Sequence, residues 1–307
     1  VAAAHPAKVA AAEPTRALVI RAVIFLLMSI LFFDAMSIAV RHLLDRYSAQ
    51  ELSAYRNFLG VLPSLVVMVW VGELRLRGTN LRIRQWKLAL LRGLIVAAAQ
   101  LFYYASLGHL EYATVITLSF AGPLIVVTLS VPILGERVGI WRWGAVLIGF
   151  VGVLLVLRPG ADTFTPAALL PIGAALCYAL STMTVRKFDS NVSNALVYLY
   201  SSVAAAGSAL VLALITTRFS PVQDFGDAGL ILFMGLSGGV GVLCLMLGFR
   251  LVSPSIVAPF QYFGLISALL IGYFVFGELP VTTLFPGVLF IVGSGFIILW
   301  REGRNKT

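Results

Sequence analysis

Only 11% of the 307 residues are charged, so the side chains able to do chemistry are few and stand out against an apolar background. Asp34 lies three-quarters of the way along the first apolar stretch, where a carboxylate must be paired, wet or functional because burying its charge is costly. It either pairs with Arg41, two turns on near an interface, or serves as a proton or charge site. Arg56 and Arg92 fall near the ends of two further apolar stretches, on opposite sides. Their stems are long enough to carry the guanidinium out to water; alternatively, one of them holds a substrate carboxylate with its planar fork. Glu136 and Glu278 each follow a glycine, Gly135 and Gly277, and either cap and anchor helices or couple protons. His109 is the remaining titratable candidate near a span.

Uncharged polar residues form stripes at helical spacing. Gln100, Tyr103, Tyr104 and Leu107 share one face, as do Tyr178, Ser181, Thr182 and Val185. Ser29, Phe33, Met36 and Ser37 make a third stripe, and Ser255, Pro259 and Tyr262, with Gln261 beside them, a fourth. Such stripes serve either packing or the walls of a cavity for a small amphipathic solute. Gly122-Pro123 and Pro259 interrupt two apolar stretches at similar depth. Proline removes a backbone hydrogen bond, so these positions are either static kinks or hinges whose freed carbonyls could face a cavity and bind an ammonium group.

Other chemistries lack their residues. No acid pair or histidine cluster falls within one apolar stretch, which leaves nucleophile–base chemistry and metal ligation without candidates. No Gly-rich phosphate loop ending in Lys-Ser/Thr occurs, so ATP is not expected to drive the protein. Cys177 and Cys244 lie inside apolar stretches and read as packing residues. Neither an enzyme, a metal nor a cofactor is expected.

The elements that must position these residues are membrane helices. The chain is 60% hydrophobic with mean hydropathy +0.98, too few charges to coat a water-facing surface. Apolar stretches long enough to span recur at 22–40, 52–71, 88–107, 113–134, 140–157, 166–185, 195–215, 228–249, 255–276 and 281–300. Continuous apolarity argues for helices and against barrel strands, which alternate. Net charge +9 and pI ≈ 9.9 reflect basic loops on one side of a bilayer rather than nucleic-acid binding. With the N-terminus inside, sixteen Lys and Arg fall in inside segments and four in outside ones, which puts both termini in the cytoplasm. Residues 1–21 and 302–307 read as cytoplasmic tails.

The chain also repeats itself. At an offset of 142, Gly93 meets Gly235, Gly122 meets Gly264, Gly135 meets Gly277 and Glu136 meets Glu278. Nearer the start of each half the offset is 145, where Arg41 meets Arg186 and Tyr55 meets Tyr200. Residues 22–160 and 161–301 are thus expected to be two five-span units. An odd number of spans threads the second copy from the opposite side, and the fold class is an all-α membrane protein of ten helices in two inverted repeats.

Two halves that each close their fourth span with Leu134-Gly135-Glu136-Arg137 or Phe276-Gly277-Glu278-Leu279, followed by spans rich in glycine (Gly144, Gly149 and Gly152; Gly287, Gly293 and Gly295), resemble the EamA-type branch of the drug/metabolite transporter superfamily. The resemblance runs from Ala22 to Trp300. It implies an inner-membrane exporter, closest in impression to exporters of amino acids, including aromatic ones, with a central cavity lined mainly by spans 1, 3, 4, 6, 8 and 9. On that expectation Phe33, Ser37, Gln100, Tyr103, Tyr104, Tyr178, Thr182 and Tyr262 are cavity candidates. Asp34, Arg92 and His109 are candidate charge sites, and Gly122, Pro123 and Pro259 candidate hinges. Other amphipathic metabolites or drugs are the alternative cargo, and a channel or scaffold the alternative class. The Gly-rich fifth and tenth spans are expected to pack on each other or on a second copy of the chain. Gly235 and Gly239 form a small-xxx-small pair suited to close helix approach.

Overall fold

A computed structural model describes residues 15–70, 84–135, 139–157, 165–185, 187–189, 192, 194–217, 219–251, 260–261, 263–278 and 284–304. Glu136, Pro259 and Tyr262 lie outside the described residues. Eleven α-helices are defined among those described: α1 Arg16–Leu43, α2 Ala49–Trp70, α3 Trp86–His109, α4 Tyr112–Ser119, α5 Gly122–Leu134, α6 Ile140–Leu157, α7 Leu169–Val185, α8 Asn194–Thr216, α9 Phe225–Leu251, α10 Phe263–Phe276 and α11 Gly287–Arg304. No strand occurs among the described residues. Among the described residues six stretches are long and apolar enough to cross a bilayer, α4 and α5 counting as one over Tyr112–Ile133; Trp143–Leu157, Phe263–Phe276 and Gly287–Ile297 are shorter apolar helices. The helix of the first span starts at Arg16 and that of the last runs to Arg304, so helix continues beyond the apolar spans at both ends.

Each half carries five spans, α1, α2, α3, α4–α5 and α6, then α7, α8, α9, α10 and α11. Exchanging the halves maps the packing onto itself. α1 packs on α9 as α7 packs on α3, α2 on α9 as α8 on α3, and α5 on α7 as α10 on α1; α2 meets α8, and α6 meets α11.

Glycines set the crossings. A side chain at Gly93 would run into the Ser201 carbonyl and Ala204 on α8, and its repeat mate Gly235 has Leu59 of α2 in the same relation. Gly239 lies on the backbone of Gly60, which lets α2 and α9 approach closely. The Gly-rich fifth and tenth spans pack on each other: a Cβ on Gly152 would sit 2.7 Å from the Gly287 carbonyl oxygen, and one on Gly287 2.6 Å from the Gly152 oxygen.

The Gly-Glu motif has a local cause. Gly135 and Gly277 end α5 and α10 with φ of +67° and +68°, a left-handed conformation that costs glycine little. The Gly277 N–H turns back to the Tyr273 carbonyl at 3.2 Å, the single bond of an αL cap, and the Glu278 N–H reaches further back to the Gly272 carbonyl at 2.8 Å.

The chain at Gly122-Pro123 breaks into two helices. Ala121 N–H bonds Leu118 O at 3.0 Å, a tightened turn, and Pro123 occupies the first turn of α5, where its missing N–H would be unpaired in any case.

Candidate functional site

One end of the bundle is sealed, and its elements identify each other. At this end α1, α3 and α10 finish and α2, α4 and α9 begin. A core of Met36, Val40, Leu43, Leu52, Tyr104, Leu107, Tyr112, Val115, Ile231, Met234 and Ala268 fills it. Around that plug the two halves are joined by ions. Arg41 forms a two-pronged ion pair with Glu278, one contact at 3.0 Å, and lies over the Phe276 ring at 4.3 Å. The same Glu278 carboxylate accepts the Tyr112 backbone N–H at 2.9 Å, so it caps the first turn of α4. Glu278 thus anchors helices of the other half rather than the one it follows. Arg46 pairs with Asp227 at 2.8 Å and Asp224 at 3.3 Å, and Tyr47 donates to Asp227 at 2.9 Å. The Asp224 carboxyl is held below the usual carboxylate range, first by the Asp227 backbone N–H and also by Arg46. Ser48 and Glu51 form a capping box on α2, and Glu51 also takes the Ser220 N–H. All three ion pairs among the described residues lie at this end.

Beneath the plug, toward the opposite end, lies a cavity of about 600 Å³, a typical size for a small-molecule site. Phe33 comes from α1, Arg56 and Asn57 from α2, and Arg92, Val96 and Gln100 from α3. The facing wall holds Tyr178, Ser181 and Thr182 from α7, Tyr198, Ser201 and Ser202 from α8, and Val242 and Leu245 from α9. Each half supplies three helices. Among the described residues the lining therefore comes from spans 1, 2, 3, 6, 7 and 8, with α2 and α8 in place of the expected spans 4 and 9. No described residue of α4 or α5 lines it, so carbonyls freed at Gly122-Pro123 do not face this cavity.

Its polar groups form an ordered set. Asn57 and Gln100 pair amide to amide, with Asn57 Nδ2 donating to Gln100 Oε1 at 2.5 Å and Gln100 Nε2 to Asn57 Oδ1 at 3.2 Å. Ser53 donates to the same Gln100 oxygen at 3.2 Å. Arg56 is 8% exposed; it donates to Asn57 Oδ1 at 3.2 Å and contacts the Gly238 carbonyl at 3.5 Å. Gly238 makes room for it, since a Cβ there would stand 2.9 Å from Arg56 Nε. Arg56 Nε and Arg92 Nε are buried without a hydrogen-bond partner among the described residues.

Arg56 and Arg92, read from sequence as either carrying their heads to water at opposite membrane edges or holding a substrate carboxylate, line one cavity. Phe33, Gln100, Tyr178 and Thr182 also line it, whereas Ser37, Tyr103 and Tyr104 stand behind its wall. Ser37 and Tyr103 share a 3.1 Å hydrogen bond, and the Tyr104 hydroxyl meets Met36 Sδ at 3.8 Å. Asp34 does not pair with Arg41, which is taken by Glu278. It is buried and accepts the Tyr112 hydroxyl at 2.8 Å through Oδ1, while Oδ2 has no partner among the described residues. His109 sits exposed at the end of α3, its Nδ1 2.8 Å from the Ala105 carbonyl oxygen. Asn57, Tyr198, Ser201 and Ser202 were not picked out from sequence. The adjacent Arg56-Asn57 pair inside an apolar span was the signal for the first; the others look like ordinary helix-surface residues.

An all-helical bundle of two five-span halves around a shared polar cavity is the architecture of a membrane carrier. The chain belongs to the EamA-like transporter family, whose model matches it twice, over residues 20–158 and 165–300, within the drug/metabolite transporter superfamily. It is 26% identical over 282 residues to an S-adenosylmethionine uptake transporter of Rickettsia bellii, covering 92% of this chain and 94% of that one. A riboflavin transporter of Vibrio cholerae is 30% identical over 244 residues, 79% of this chain and 81% of its own. A pseudopaline exporter of Pseudomonas aeruginosa is 22% identical over 273 residues, 88% and 93% of the two chains. A solved crystal structure superimposes with a TM-score of 0.66 at 16% identity, covering 92% of this chain and 97% of that one, which establishes the shared fold.

Proposed function

We propose that this transporter exports small amphipathic metabolites, amino acids including aromatic ones first, by alternating access of the central cavity. The observation that carries the reading is a polar, aromatic-walled cavity built equally by the two halves, with the plug and all the ion pairs among the described residues at one end. Exchanging the conformations of the halves would move the seal to the other end and expose the cavity there. With the termini in the cytoplasm, as the basic residues favour, the present state has its cavity toward the cytoplasmic side of a bacterial-type inner membrane. Residues 22–160 and 161–301 act as the two moving units, with Gly122 and Pro123 as a hinge between α4 and α5. Gly149, Gly152 and Gly287 are occupied within the chain, which leaves Gly144 and Gly293, with no neighbour inside 4 Å, as the glycines a second copy could use.

The names of the relatives favour a second reading, that the cargo is a larger ring-bearing metabolite of the S-adenosylmethionine or riboflavin kind, moved in either direction. Counterflow in proteoliposomes separates the readings. Vesicles preloaded with each unlabelled amino acid, S-adenosylmethionine or riboflavin are scored for saturable accumulation of the labelled compound. Saturable exchange of an amino acid supports the first reading, and exchange of only the ring-bearing compounds replaces it with the second. Conductive flux without saturation or counterflow would mean a channel and sink both.

A further inference from the structure

The cavity is electrically lopsided. Its α2–α3 wall carries two guanidiniums, Arg56 and Arg92, and no carboxylate is among the described residues that line it. Neither arginine forms an ion pair among the described residues, and each leaves its Nε buried and unbonded. Among the described residues, the polar groups of the facing α7–α8 wall are hydroxyls, from Tyr178, Ser181, Thr182, Tyr198, Ser201 and Ser202. Asp34 cannot serve as counter-ion from the lining, because it lies outside it and is engaged by Tyr112. A charge at bilayer depth is expensive and persists where it meets water or an opposite charge. A guanidinium donates in a fork that fits an oxyanion. The Asn57–Gln100 pair holds Arg56 in place, since Asn57 Oδ1 receives both Arg56 and Gln100, and Gly238 keeps the Arg56 pocket open.

We propose that Arg56 and Arg92 make this cavity selective for solutes bearing an oxyanion, a carboxylate or phosphate, seated on the α2–α3 wall with the apolar or aromatic part of the solute against Tyr178 and Tyr198. The inference rests on reading the cavity as the substrate site. It ranks anionic solutes above neutral and cationic ones of the same shape, whatever the ring.

The test uses the purified full-length protein and two pairs of probes that differ in charge and little in shape: riboflavin 5′-phosphate against riboflavin, and L-tryptophan against L-tryptophanamide. Binding is measured by calorimetric titration and transport by counterflow, with wild type, Arg56→Gln, Arg92→Gln and Arg92→Lys. The oxyanion-bearing member of at least one pair should bind wild type about tenfold or more tightly than its partner, the scale of a charge-assisted hydrogen bond. That preference should fall in both glutamine variants and be partly kept in Arg92→Lys. The comparison on wild type needs no variant to fold. Equal or weaker binding of both oxyanion-bearing probes, or no binding of either, overturns the proposal. Anion preference in binding without any counterflow would keep the proposal and sink the carrier reading; counterflow indifferent to charge would do the reverse.

Discussion

Asp34 puts one carboxylate oxygen on the Tyr112 hydroxyl and leaves the other without a partner among the described residues. Tyr112 in turn holds Glu278 by its backbone N–H. Asp34 therefore touches the seal and is not among the described residues that line the cavity. Asp34→Asn should leave the KM for counterflow within about twofold, because no cavity contact is lost, while slowing turnover by about tenfold through the sealed-end network. Measured initial rates against concentration check this; an unchanged turnover with a raised KM would instead place Asp34 at the substrate. At this scale the sequence was only partly legible. Asp34 was visible as a buried acid, and Phe33, Gln100, Tyr178 and Thr182 fell on stripes that do face the cavity. Arg56 was visible with two readings left open, snorkelling to water or facing a solute, since near a span end a long cationic stem can do either. What turns it inward is the space left by Gly238 on α9, 182 residues away, and no local pattern reports that.

At the scale of the elements, helix contacts are set by backbones that touch. α6 and α11 meet where Gly152 and Gly287 leave no room for a Cβ. Gly152→Leu should destabilise the bundle by about 1–3 kcal/mol, the usual cost of overpacking, seen as a lower thermal midpoint in detergent. Gly144→Ala, on the same helix with nothing within 4 Å, should leave the midpoint unchanged or slightly raised, as alanine favours helix. Similar losses for both would mean that α6 is sensitive throughout and the crossing is not special. Spans and their order were legible because lipid demands long apolar runs. Which spans line the cavity was not, because a helix that is apolar nearly all round does not announce its inner face. α2 and α8 were therefore missed, and the fourth span was assigned a lining role that its described residues do not have.

For the whole molecule, the sequence repeat and the packing agree. The offset of 142 that aligns Gly135 with Gly277 also aligns two left-handed helix caps, and Gly93 and Gly235 occupy matching crossings. The repeat was legible because a left-handed cap and a tight crossing each admit little besides glycine, so those positions persist in both halves while apolar neighbours drift. The state of the molecule was not legible, since nothing in a near-symmetric sequence says at which end the seal forms. Alternating access by exchange of the two repeats requires the halves to thread the bilayer in opposite directions. The most direct measurement is side-specific labelling of single cysteines at Gly139, just beyond the first Gly-Glu motif, and at Phe285, beyond the second, in a protein with Cys177 and Cys244 replaced. A membrane-impermeant maleimide should reach one from the cytoplasmic side only and the other from the opposite side only; labelling of both from the same side would contradict the inverted repeat and the alternating access built on it.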